Sequence, residues 1–126
     1  MHKLLPTAAV AVAAAAALSG SALAAKAPAS AGGTKLHLTA VANGLAFSTK
    51  SLKAKAGRIT ISLTNASALK HDLVIEQGEK VLARTPMLAK GKSGSLSVSL
   101  KKGSYDFVCD VPGHEDAGMK GTLTVS

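Results

Sequence analysis

The chain has 126 residues, one cysteine, no tryptophan and a formal net charge of +8. A single cysteine excludes an internal disulfide, and the length suits one small domain rather than a multidomain enzyme. Scattered lysines, two arginines and three aromatic side chains also argue against nucleic acid, so the charge reads as solubility or as attraction to an acidic partner or an anionic membrane surface.

The first residues have the order of a secretory signal. Met1-His2-Lys3 is a short positive segment, Leu4 to Leu18 is apolar and mostly alanine, and Ala22-Leu23-Ala24 is a small-residue cleavage site. The apolar run is shorter than the ~20 residues a membrane span needs. No cysteine near the cleavage site offers a lipid anchor, and no Arg-Arg pair precedes the apolar run, which points to the general secretory route. Residues 1–24 are therefore expected to be removed, placing the mature chain in the periplasm or outside the cell. Residues 25–33, built from Ala, Lys, Pro, Ser and Gly, read as a flexible linker. Residues 34–126 then form the domain. Its core is small, and a lone thiol in an oxidising compartment is buried, reactive or held by a metal. A bound metal would add folding free energy.

From Thr34 onward the period is two. Leu36, Leu38 and Ala40 alternate with His37 and Thr39, and Asn43-Gly44 marks a turn. Phe47 lies in a short strand or extended loop, and residues 51–55 are extended up to a turn at Ala56-Gly57. Ile59, Ile61 and Leu63 alternate with Thr60, Ser62 and Thr64, which predicts a half-buried strand. A loop over 65–70 leads to a strand in which His71, Leu73 and Ile75 share one face and Asp72, Val74 and Glu76 the other. Gln77-Gly78-Glu79 predicts a hairpin into Lys80–Ala83. A connection beginning at Thr85-Pro86-Met87 precedes the alternating Leu96, Val98 and Leu100. After a turn at Lys101-Lys102-Gly103, Tyr105, Phe107 and Cys109 point one way, and Leu123 and Val125 sit on the last strand. No helical period persists. The fold class is all-β, a β-sandwich of seven to eight strands.

Chemistry gathers between the last two strands, in Cys109-Asp110-Val111-Pro112-Gly113-His114-Glu115-Asp116-Ala117-Gly118-Met119. Thiolate, imidazole and thioether form a soft ligand set. A second imidazole, for which His71 is the candidate, would complete the His₂Cys site with weak axial Met that carries electrons on copper. Each residue alone has a plainer reading: Cys109 as a buried core thiol, His71 as a strand-end surface residue, Met119 as core filler. Their joint pattern favours a metal. His37, on a polar strand face, and Met87, without ligand-type neighbours, are assigned no metal. The loop acids Asp110, Glu115 and Asp116, with Asp72 nearby, suggest an acidic rim on a basic body that would orient docking.

The stretch resembles the cupredoxins, the blue (type 1) copper proteins of the plastocyanin, azurin and auracyanin kind. The resemblance rests on Tyr105-x-Phe107-x-Cys109, Pro112-Gly113-His114 and Gly118-Met119-x-Gly121, and upstream on Asn65 and His71-Asp72. It implies a Greek-key sandwich with one mononuclear copper near one end. It also implies His71, Cys109 and His114 as equatorial ligands and Met119 as the long axial one, with the ring edge of His114 as electron port. The function implied is one-electron transfer between redox partner proteins, such as cytochromes or membrane oxidoreductases, by a monomer that is not an enzyme. Copper storage, delivery or resistance is the alternative, weakened by the lack of Met-rich or His-rich tracts. One departure stands out: Asp72 occupies a position where the family usually carries Asn.

Overall fold

Alternation becomes pairing in the computed structural model, which describes residues 33–126. The signal and linker readings lie outside the described residues, apart from Gly33. Eight strands follow one another: β1 (Thr34–Ala40), β2 (Ser51–Ala54), β3 (Gly57–Asn65), β4 (Val74–Gln77), β5 (Lys80–Arg84), β6 (Ser93–Leu100), β7 (Gly103–Val108) and β8 (Lys120–Val125). They form a three-stranded sheet, β1-β3-β6, and a five-stranded sheet, β2-β8-β7-β4-β5. β1 runs parallel to β3 and β2 parallel to β8, so the chain crosses between sheets early.

The apolar faces of the strands meet the core, except on β5, which leaves Val81 exposed and adds only the partly buried Leu82 and Ala83. On β3, Ile59, Ile61 and Leu63 are fully buried, while the intervening Thr60, Ser62 and Thr64 are half-exposed. The outer face is held by cross-strand hydroxyl pairs, Thr60 with Ser97 and Thr64 with Ser93, each at 2.9 Å. Leu38, Phe47, Leu73, Ile75, Phe107, Met119 and Leu123 join the same core cluster, with the rings of Phe47 and Phe107 tilted at 5.6 Å. Of the β3–β6 pattern, Val98 is only partly buried.

One expected alternation fails. The strand predicted from His71 begins only at Val74, and Asp72 is buried, at 2% exposure. The reason lies in the partners of this segment. His71 exchanges main-chain hydrogen bonds with Leu88, at 3.1 and 2.8 Å. The Leu73 N–H donates to Thr85 Oγ1 at 3.0 Å, and the Thr85 N–H returns a bond to the Leu73 carbonyl at 2.9 Å. The segment therefore follows the connection after β5 and leaves the ladder, so both faces of 71–73 are covered.

This places the chemistry. Val74 pairs with Val108, so the residues just before β4 lie beside those just after β7. Val108 pairs with Lys120, so the 109–119 loop closes between two adjacent antiparallel strands.

Candidate metal centre

Cys109 is the first residue beyond β7. Its N–H donates to the Met119 carbonyl at 3.1 Å, adding one rung past the end of the β7–β8 ladder. Inside the loop the chain folds back on itself: His114 N–H to Val111 carbonyl at 2.9 Å, Met119 N–H to His114 carbonyl at 3.0 Å, and Gly118 N–H to Glu115 carbonyl at 2.9 Å. Gly113 and Gly118 take φ of 85° and 112°, values that a side chain would oppose. Lys50 Nζ donates to the Gly118 carbonyl at 3.0 Å, tying the loop to the chain before β2.

His71 is fixed from the other side. Asn65, fully buried, donates through Nδ2 to the carbonyls of Leu69 at 2.7 Å and Leu88 at 2.8 Å, and its Oδ1 accepts from the Ser67 N–H at 2.8 Å. Asn65 thus shapes the loop that delivers His71 and holds Leu88, the main-chain partner of His71.

Three donor atoms converge. Cys109 Sγ lies 3.7 Å from His71 Nδ1 and 3.6 Å from His114 Nδ1, and the two Nδ1 atoms are 3.2 Å apart. Among the described residues this is the one cluster of three His, Cys or acidic side chains with metal-ligand spacing. Atoms so spaced leave a point about 2 Å from each, the length of a bond from imidazole to a first-row metal ion. Cys109, His71 and Met119 are fully buried, and His114 is half-buried. Met119 is placed by its two main-chain bonds, to Cys109 and His114. Sequence reasoning named these four residues, and the fold brings them to one end of the sandwich. It keeps His37 on an exposed face of β1 and Met87 half-exposed, outside the cluster.

Burial sets the proton affinities of the donors. Burial pushes the Cys109 thiol up, while the main-chain N–H groups of Asp72 and Val111 aimed at the sulfur oppose that shift. Burial and then His114 pull His71 down, against the charge of Asp72, so protonation competes less with metal binding at this imidazole. Two imidazoles, a thiol that loses its proton to a metal and a methionine closing the same loop are the donor types of a type 1 copper site.

The acidic rim is corrected in composition. Asp72 is internal, and its Oδ1 accepts from the Asp110 N–H at 2.7 Å. Asp110 pairs outward with Arg84 at 3.3 Å. The fold adds two acids that sequence reasoning did not group with the loop. Glu76 and Asp106 sit directly opposite each other on β4 and β7. Burial, followed by Glu115, Asp106 and Asp110, pushes the Glu76 carboxyl up. Leu88, Thr85 and Lys50 were also missed as supports of the site. Thr-Pro at 85–86 hinted at a hydroxyl-bonded turn, but nothing local predicted its partner Leu73.

The comparisons with known proteins agree with this geometry. A family model described as a Cupredoxin-like domain matches residues 8–125. Auracyanin-B of Chloroflexus aurantiacus is 31% identical over an alignment of 151 residues that takes in 96% of this chain; the chain spans only 63% of that relative's length. The dithionite-reduced auracyanin of the photosynthetic bacterium Roseiflexus castenholzii superposes with a TM-score of 0.70 at 26% identity, over 73% of this chain and 96% of that one. A structure of auracyanin B gives 0.70 at 28%, over 74% and 88%. An azurin from Methylomonas sp. strain J, 19% identical, shares the fold with a TM-score of 0.65, over 74% and 98%.

Proposed function

The chain belongs to the cupredoxin-like family, and on that footing we propose that it is an exported carrier of single electrons. In this reading His71, Cys109 and His114 hold one mononuclear copper ion, with Met119 as the weak fourth ligand. The observation that carries the reading is the convergence of two Nδ1 atoms and Sγ in a buried pocket, from segments 38 and 43 residues apart in sequence. Copper, when bound, supplies a one-electron couple. The chain supplies everything else. Burial of His71, Cys109 and Met119 keeps water from the site. The hydrogen bonds through Asn65, Leu88 and the 109–119 loop hold the donors still, so little rearranges when the charge at the site changes and the barrier to transfer stays low. His114, half-buried in the loop, is the port to a partner.

The partners proposed are redox proteins such as cytochromes or membrane oxidoreductases. Glu115 and Asp116 in the loop, with Glu76 and Asp106 on β4 and β7, offer acidic groups to a cationic partner face, interleaved with Lys50 and Lys120 beside Asp106 and Glu115. Export rests on the signal-like residues 1–24, ahead of a linker and a working domain over 34–126. The carrier role requires no catalysis and no second subunit.

Voltammetry of the copper-loaded protein tests this role. Expected is a reversible one-electron wave over repeated cycles, with copper retained in the presence of a Cu(I) chelator such as bicinchoninate. An irreversible wave with copper passing to the chelator would instead mark a storage or delivery protein.

A further inference from the structure

Asp72 is the one buried carboxylate beside the metal pocket, and its position is unusual in three ways. It is 2% exposed. Its Oδ1 accepts from the N–H of Asp110, the residue after Cys109, at 2.7 Å, while its own main-chain N–H is aimed at the Cys109 sulfur. Among the described residues no cation pairs with it, and the one ion pair, Arg84 with Asp110, lies on the surface. A carboxylate is thus held next to the thiolate and next in sequence to His71, where neither solvent nor salt screens it well.

We propose that Asp72 is a positioning residue that also sets the balance between the two oxidation states of the copper, favouring Cu(II) over Cu(I). This rests on the reading that His71, Cys109 and His114 hold copper. The charge argument is direct. The thiolate site with Cu(II) carries one more positive charge than with Cu(I). A fixed negative charge at short range stabilises the more positive state, and an interior of low dielectric lets that preference survive. The positioning part is separate. It comes from the bond to the Asp110 N–H, which an amide oxygen would accept equally well. Charge and position can therefore be parted by one isosteric change.

The test is Asp72→Asn, measured at one pH. Dissociation constants for Cu(I) are taken by competition with bicinchoninate, and the potential by redox titration. Asn keeps the acceptor for the Asp110 N–H and removes the charge. The ratio of Cu(I) to Cu(II) affinity is expected to rise tenfold or more, equivalent to about 59 mV or more in a one-electron potential. The thiolate-to-copper band should stay in place. Asp110→Asn, which removes an exposed charge paired with Arg84, should change the ratio less than about twofold. Should Asp72→Asn fail to fold, Asp72→Ser gives the same readout with a shorter acceptor. A change below twofold, a change in the opposite direction, or one matched by Asp110→Asn overturns the proposal. So does a change accompanied by a displaced band, because repacking would then explain it. A wild-type protein without any thiolate-to-copper band would instead refute the copper reading itself, before the variants are compared.

Discussion

Replacing Cys109 by Ser is expected to abolish the intense visible band and to weaken copper binding by more than 100-fold, while the chain still folds. The sulfur is the soft anion of the donor set and is fully buried, with two main-chain N–H groups aimed at it. A hydroxyl is smaller, harder and far less acidic, so it supplies neither the charge nor the polarisable orbital that copper uses. Loss of residues that merely support ligands costs ~10–100-fold in metal affinity. Loss of a ligand should exceed that. The metal-free fold should suffer little, because the main-chain bond from Cys109 to Met119 does not involve the side chain. Circular dichroism and a chelator competition read the two effects separately. A variant that keeps the wild-type band and affinity would remove Cys109 from the site.

Gly121→Ala should do the reverse: spare the ligands and damage the fold. Gly121 pairs with Phe107 across β7 and β8. A Cβ there would run into the Phe107 ring and would lie 2.6 Å from the Lys50 carbonyl oxygen. Neither neighbour can yield cheaply. Phe107 is fully buried against Phe47, and the Lys50 carbonyl accepts from the Thr122 N–H at 2.9 Å. Overpacking of this kind costs ~1–3 kcal/mol, and with backbone as one of the obstacles we expect the upper part of that range. For a domain of this size the melting temperature should fall by about 10 °C or more. Urea unfolding of the metal-free protein checks it, and an unchanged midpoint would show that the β7–β8 sheet can open to admit a methyl group.

The two variants mark what sequence could reveal. Strands were most legible where one face is buried: Ile59, Ile61 and Leu63 alternate with hydroxyl residues, and a period of two follows. The donor loop was legible because three soft ligands lie within eleven residues and glycines permit their return. His71 was reachable as the imidazole outside the loop that does not fall on a polar strand face, as His37 does. What stayed hidden depends on partners distant in sequence. Nothing near Asp72 shows that Asp110 will need an acceptor, and the alternation over 71–76 pointed it to the other face. Glu76 and Asp106 become neighbours only through the β4–β7 register. Leu88 supports His71 through main-chain atoms, which leave no mark in side-chain pattern. Gly121 was visible as part of a motif, but its reason is the ring of Phe107, fourteen residues earlier and on another strand.

The most direct measurement of the central claim is the visible absorption spectrum during addition of one equivalent of Cu(II), followed by ascorbate and re-oxidation. The convergence of His71, Cys109 and His114 predicts an intense thiolate-to-copper band that saturates at one ion per chain, bleaches with ascorbate and returns on oxidation. A protein that stays colourless, or whose band never returns after reduction, would contradict a redox-active copper centre at these residues.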